Sequence, residues 1–168
     1  MIDDSSQSGT LLTNSFQPPI FCHASCLGRK QRKLFLRTED YQTYFRLINV
    51  YKRKFGIRVF GFCLMPMVAQ MVLQATNEDD LSRFLSGVSR AYAIYIQIQY
   101  DLQKNPWQSF KLLYFTDMQD LLKNVRDMER DPVKAKLTDA AVKYPWSSCF
   151  YRILRERHTI LDPISMVS

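Results

Sequence analysis

Phe62-Cys63-Leu64-Met65-Pro66-Met67-Val68-Ala69-Gln70-Met71-Val72-Leu73 is the stretch on which the fold of this 168-residue chain turns. Apolar residues run almost without interruption on both sides of a proline. That pattern reads as two strands, 57–65 and 69–75, joined across Pro66, the second apolar enough to lie inside a sheet. Side chains at i and i+2 of extended chain share a face, so Val68, at the entry to the second strand, and Gln70 within it point the same way.

Upstream, residues 20–26 predict a first strand, followed by the basic turn Gly28-Arg29-Lys30-Gln31-Arg32-Lys33 and a short apolar return at Leu34-Phe35-Leu36. Thr38 is placed as a helix N-cap ahead of Glu39 and Asp40, and Tyr41, Tyr44, Phe45, Ile48 and Phe55 share one helical face. Gly56 stops that helix. Downstream, Asn77 caps a long helix with acids in its first turn and Leu81, Phe84, Leu85, Val88, Tyr92, Tyr95 and Ile96 on one side. Asn105-Pro106 breaks the pattern, 110–115 predicts another strand, and Thr116 caps a helix carrying Met118, Leu121, Leu122 and Val125. The order strand, helix, two strands, helix, strand, helix predicts an α+β fold: a small antiparallel sheet of about four to five strands packed with helices. The expected divisions are an N-terminal arm over 1–19, rich in Ser, Thr, Gln and Asn, a folded domain over 20–150, and a basic tail over 151–168.

With 23 Lys and Arg against 16 Asp and Glu, the net charge of +7 favours polyanionic partners. The four cysteines, Cys22, Cys26, Cys63 and Cys149, lack paired Cys-x-x-Cys spacing, which excludes a zinc signature and suits reduced, buried thiols. No signal-peptide pattern and no apolar run of membrane-spanning length is present, so a cytoplasmic protein with no membrane partner is expected.

Several motifs in order carry a family resemblance: His23 and Gly28, Glu39-Asp40-Tyr41, Tyr51-Lys52-Arg53-Lys54-Phe55-Gly56, Leu64-Met65-Pro66, Leu81-Ser82-Arg83-Phe84, and Trp107-Gln108. Asp131-Pro132-Val133-Lys134-Ala135 and Tyr144-Pro145-Trp146-Ser147-Ser148 complete the set. Over roughly 20–150 the chain resembles the single-tyrosine HUH transposases, in particular the REP-associated tyrosine transposases. The resemblance implies an HUH-endonuclease-like fold and recognition of hairpins in single-stranded DNA. It also implies cutting by a tyrosine that becomes joined to the DNA 5′ end, while a metal held by a His-x-His pair polarises the phosphate.

This chain departs from that pattern where the chemistry is done. The two histidine positions hold Val68 and Gln70. Counting back from Pro132, the tyrosine position holds Asp127, and 116–130 contains no tyrosine at all. Valine ligates nothing, and a carboxamide is a weak ligand beside a pair of imidazoles. The expectation is a catalytically inactive protein with no metal and no cofactor. Of the two histidines, His23 reads as structural and His158 as a residue that titrates in the tail; Asp127 with Gln70 would make a poor rebuilt site.

Arg29, Lys30, Arg32 and Lys33, with Arg37 just beyond, are candidate DNA contacts, because the resemblance puts the corresponding turn near bound DNA. A solvated loop is the plain alternative. Arg152, Arg155 and Arg157 form a second candidate surface, since REP-associated members read a short sequence with segments near the C-terminus. Lys52, Arg53, Lys54 and Arg58 suit a helix C-terminus and read as structural. Trp107, Tyr114 and Trp146 are candidates for stacking on unpaired bases, Trp146 being better placed in the core. Intact caps and amphipathic faces favour a maintained protein over a decaying one. The leading expectation is a transposase-derived DNA-binding protein, monomer or homodimer, acting as a regulator at specific sites or hairpin repeats. An RNA-hairpin-binding module and residual nuclease activity are the alternatives.

Overall fold

The computed structural model describes residues 18–164; most of the expected arm and the last four residues of the expected tail lie outside it. The elements run β1 (Ile20–Leu27), α1 (Thr38–Phe55), β2 (Arg58–Met65), β3 (Val68–Ala75), α2 (Glu78–Tyr100), β4 (Lys111–Phe115), α3 (Met118–Glu129), α4 (Asp131–Lys134) and α5 (Ser148–Leu154). The strands form one antiparallel sheet in the order β2-β3-β1-β4. The fold is α+β, as the sequence predicts, with β3 central.

Strand periodicity sorts the two cores. Cys22, Ala24 and Cys26 of β1 and Ala69, Met71 and Leu73 of β3 face α1 and α2, joining Tyr44, Ile48, Phe84, Val88 and Tyr92. Val72 of β3 and Cys63 of β2 face the other way, onto Leu121, Val125 and Met128 of α3. Gly56 ends α1 in the left-handed conformation at φ 63°, where glycine carries no Cβ penalty. Gly87 lets α2 lie against α1; a Cβ there would collide with the Tyr51 ring.

Asp40 holds the start of α1. Its Oδ2 accepts the backbone N–H groups of Leu36 (2.8 Å) and Arg37 (2.9 Å) and the hydroxyl of Tyr100 (2.7 Å), while Oδ1 accepts Tyr95 (2.9 Å). The cap is therefore Arg37 with a reaching-back Asp40, one residue before the Thr38 expected from sequence. Likewise Asp117, not Thr116, caps α3 through Gln119 N–H. The apolar return Leu34-Phe35-Leu36 is coil, and the buried Leu34 and Phe35 both donate their amides to the Pro66 carbonyl.

An edge strand exposes unpaired backbone groups. On β2 these are taken by later parts of the chain. Leu64 N–H donates to Trp146 O (2.9 Å), Phe62 N–H to Ser148 Oγ (3.1 Å), and Val59 N–H to Asp162 Oδ2 (2.8 Å). Lys52 binds the same Asp162, and Ile160 is fully buried. Residues 151–164, expected from sequence to form a separate tail, thus strap the β2 edge. His158 lies within 5.0 Å, ring to ring, of Phe45, Phe62 and Tyr151. Burial pushes its pKa down to about 4, so it stays neutral near pH 7 rather than titrating in an open tail. No described helix is long and apolar enough to cross a membrane.

Candidate nucleic-acid interface

Val68 and Gln70 fall on the α3 face of the sheet, as their spacing requires. Gln70 lies between Ser25 of β1 and Cys63 of β2 and is 7% exposed. Its Nε2 donates to Asp131 Oδ2 (2.9 Å) at the start of α4, and Asp131 pairs in turn with Lys134 (3.0 Å). The imidazole of His23 sits against the same carboxamide. Burial lowers its pKa, with Gln70 and Asp131 pulling more weakly the other way, and its Nε2 is buried without a partner.

At the positions where the resemblance would place a His-x-His pair, Gln70 donates instead to Asp131, which pairs with the largely exposed Lys134. Gln70 presents a neutral amide and Val68 a hydrocarbon, a donor set far weaker for a divalent ion than two imidazoles. Among the described residues no three His, Cys, Asp or Glu side chains converge as a metal group. Asp127, where the resemblance would place the tyrosine, is exposed on α3, whose sheet-facing side carries Leu121, Val125 and Met128. Gln70 therefore meets Asp131 rather than Asp127. Sequence reasoning missed the Asp131 partnership; the one signal for it was an acid opening a helix downstream of the strand motif.

The geometry gives a direct prediction. Val68→His with Gln70→His restores two imidazoles on one strand face beside Asp131. The double variant is expected to bind Mn²⁺ or Co²⁺ at least a hundredfold more tightly than the parent, read by calorimetry or by cobalt absorption. Equal affinity in both proteins would contradict this placement of the site.

The basic turn is exposed from Arg29 to Lys33. Lys30 (φ 53°) and Gln31 (φ 56°) both occupy the left-handed region, which costs a non-glycine residue about 1 kcal/mol or more. That strained geometry is held by its neighbours. Gly28 N–H donates to Met67 O (2.9 Å), Arg29 N–H to Pro106 O (2.7 Å), and Gln108 N–H to Leu27 O (2.9 Å). The result is four cationic side chains splayed from a fixed backbone. Arg37 stands apart, its Nε donating to the Tyr100 hydroxyl (3.0 Å) with the guanidinium over that ring.

The C-terminal arginines divide. Arg152 turns inward, its Nη2 donating to Phe60 O (2.8 Å) and pairing with the buried Glu129 (3.1 Å), whereas Arg155 and Arg157 are exposed. Arg155 takes a left-handed cap at φ 55°. Lys52 and Arg58 serve the C-terminal strap, in keeping with the structural role expected of that cluster. Of the aromatic candidates, Trp107 is only 2% exposed, packed against Tyr44 and Tyr92, and so is withdrawn from base stacking. Trp146 stacks on Tyr41 at 4.4 Å. Tyr114 alone is open, half exposed on β4.

No protein-family profile and no curated protein sequence matches the chain. Two solved structures are similar to it. One is a REP-associated tyrosine transposase solved bound to a REP hairpin, 17% identical, with a TM-score of 0.67 and 86% of each chain covered. The other is a putative transposase from Deinococcus radiodurans R1, 13% identical, with a TM-score of 0.50, covering 68% of this chain and 94% of that one. The chain carries the tyrosine-transposase, HUH-type fold that its motifs predict.

Proposed function

We propose that this protein is a DNA-hairpin-binding protein of transposase descent in which cutting has been lost and binding kept, acting in the cytoplasm as a regulator at hairpin or palindromic sites. The observation that carries the reading is the pairing of Gln70 with Asp131. The former ligand position is occupied by a side chain satisfied within the fold, while Val68 beside it has no donor atom.

Binding is supported by the fixed basic turn and by the hairpin held in the similar transposase structure. Without a nucleophile at 127 or an imidazole pair, bound DNA is released intact. A regulator needs only occupancy, so the loss of chemistry leaves that role whole.

The test is a competition on one labelled DNA hairpin, at two salt concentrations, against its RNA counterpart and against a linear duplex of the same stem. The expected result is preference for the DNA hairpin, with affinity falling steeply as salt rises. Tighter binding of the RNA hairpin would replace DNA by RNA as the partner.

A further inference from the structure

We propose that the outer edge of β4, with the groove between it and α2, docks an extended segment of a partner protein, which adds to the sheet as a further strand and carries acidic residues at its C-terminal end. This goes beyond hairpin binding and stands without it. The two edges of the sheet are treated differently. The β2 edge is covered by the strap described above, whereas β4 closes the strand order on the other side. Among the described residues, no backbone hydrogen bond reaches 111–115 except from β1. A bare edge is ordinarily blunted by charge, proline or a bulge. Here Lys111 is the one such device, the register with β1 is unbroken, and Leu112, Leu113 and Tyr114 follow at 38, 55 and 50% exposure.

Strand period puts Leu112 and Tyr114 on the α2 side of the edge and Leu113 on the other. The groove on the α2 side holds about 530 Å³, with Leu81, Leu85 and Phe110 among its apolar lining. Its α2 wall presents only the small side chains of Ser82, Ser86 and Ser89, and Ser86 is turned onto its own helix, donating to Ser82 O (2.7 Å). An added strand sends alternate side chains into that space beside Leu112 and Tyr114, and the others outward beside Leu113, while its backbone meets that of β4. A nucleic-acid strand matches the edge poorly. The edge presents N–H and C=O groups in turn, and a phosphodiester backbone accepts hydrogen bonds but donates none.

Charge gives the groove a direction. Glu78, at the start of α2, lies toward Tyr114. Arg29 lies at the Lys111 end, where Lys111 pairs with Ser25 and Trp107 bridges Gly28. There the groove opens, past Arg29 and Asn105, into a second hollow of about 680 Å³ lined by Arg29, Lys30, Arg32 and Lys104 against the single acid Asp101. The buried Trp107 indole N–H at this end has no acceptor. Four cations to one acid call for carboxylates from the occupant. A strand added antiparallel to β4 ends here, which sets its acids and its terminal carboxylate beside Arg29 and Lys104. The β4 of a second copy, Lys111-Leu112-Leu113-Tyr114-Phe115, supplies no acid, and each copy carries a net charge of +7, so the charge selects a different chain.

The surface is tested with the full chain and a fluorescein-labelled peptide, Ser-Val-Ser-Ile-Ser-Val-Ser-Asp-Glu-Asp with a free C-terminus. Binding is read by fluorescence polarisation, and amide exchange on β4 by NMR. The expected result is saturable binding that protects alternate amides within 111–115. N-methylating alternate residues of the peptide should abolish binding for the set whose amides face β4 and leave it within about twofold for the other set. Affinity should fall about tenfold or more for Ser86→Trp, which fills the groove, for Lys104→Glu, and for a peptide with its three acids moved to the N-terminus. Thermal melting checks that both variants are folded. No gain in β4 protection at saturating peptide, binding retained by both N-methylated sets, or affinity unchanged in both variants would overturn the proposal. Edge amides already protected in the unliganded monomer, or protected only as dimers form in sedimentation, would also overturn it, giving the edge to the chain itself or to a second copy.

Discussion

Reversing the charge of the basic turn, Arg29→Glu, Lys30→Glu, Arg32→Glu and Lys33→Glu together, is expected to weaken hairpin binding on the order of a thousandfold at moderate salt. All four side chains are exposed, and the turn is held mainly by backbone groups of Gly28, Arg29 and Gln108, with one long side-chain bond from Arg29 Nη2 to Trp107 O (3.4 Å). The melting temperature should therefore move little. For every phosphate that the variant no longer neutralises, the slope of log affinity against log salt should also flatten by about 0.9 in a duplex stem. Binding by electrophoretic shift at several salt concentrations, with thermal melting as the control, reads both quantities. Undiminished affinity in a folded variant would remove the turn from the interface.

The largest stability effect is expected at Asp40. This carboxylate is fully buried and receives four donors, two from the chain entering α1 and two from α2. Burial by itself would raise its pKa, but the hydrogen bonds from Tyr100, Leu36, Arg37 and Tyr95 together hold it below the usual carboxylate value. Asp40→Ala leaves two backbone amides and two tyrosine hydroxyls without their acceptor. The expected cost is about 3–5 kcal/mol, a fall in melting temperature on the order of 10 °C.

The sign of the pH effect follows from the lowered value. The stabilisation from Asp40 is complete above the ordinary carboxylate pKa and disappears as pH falls through the folded one. His158 acts earlier on the same acid limb: buried neutral, it contributes fully above its ordinary value of 6.5 and loses that contribution as pH falls toward about 4. Denaturant melts of the parent from pH 7 to pH 3 should show stability declining in both windows. Asp40→Ala should abolish the lower step only.

Much of this fold was legible because its signals are local. The apolar runs on either side of Pro66, the glycine at 56, Asn77 and the helical stripe from Leu81 to Ile96 each name their structure within a few residues. The resemblance of the ordered motifs carried the topology, and the fold of the two similar structures agrees with it. What the sequence concealed depends on partners far along the chain. Leu34-Phe35 reads only as a short apolar return, and its anchoring comes from Pro66, whose carbonyl takes both amides. Arg152 looks like a DNA contact until Glu129, 23 residues earlier, turns it inward.

The candidate site was legible in the same uneven way. Val68 and Gln70 were placed on one face by strand period alone, and the basic turn by composition. The partnership of Gln70 with Asp131 spans 61 residues, and no local pattern announces it. Lys104 joins the Arg29–Arg32 turn only because the loop after α2 folds back onto β1, a proximity set by sheet order. Trp107 reads as a free aromatic in a polar loop, yet the ring is closed in by Tyr44 and Tyr92.

Binding without cutting is tested most directly by incubating the purified protein with a hairpin-bearing single strand and Mn²⁺. One half of each sample is assayed for complex before denaturation, and the other half is denatured and resolved for covalent protein-DNA adduct and strand length. The expected result is a complex in the first half, with every strand full length and all protein free of DNA in the second. A denaturation-resistant adduct or a shortened strand would contradict it and show that cutting has been kept.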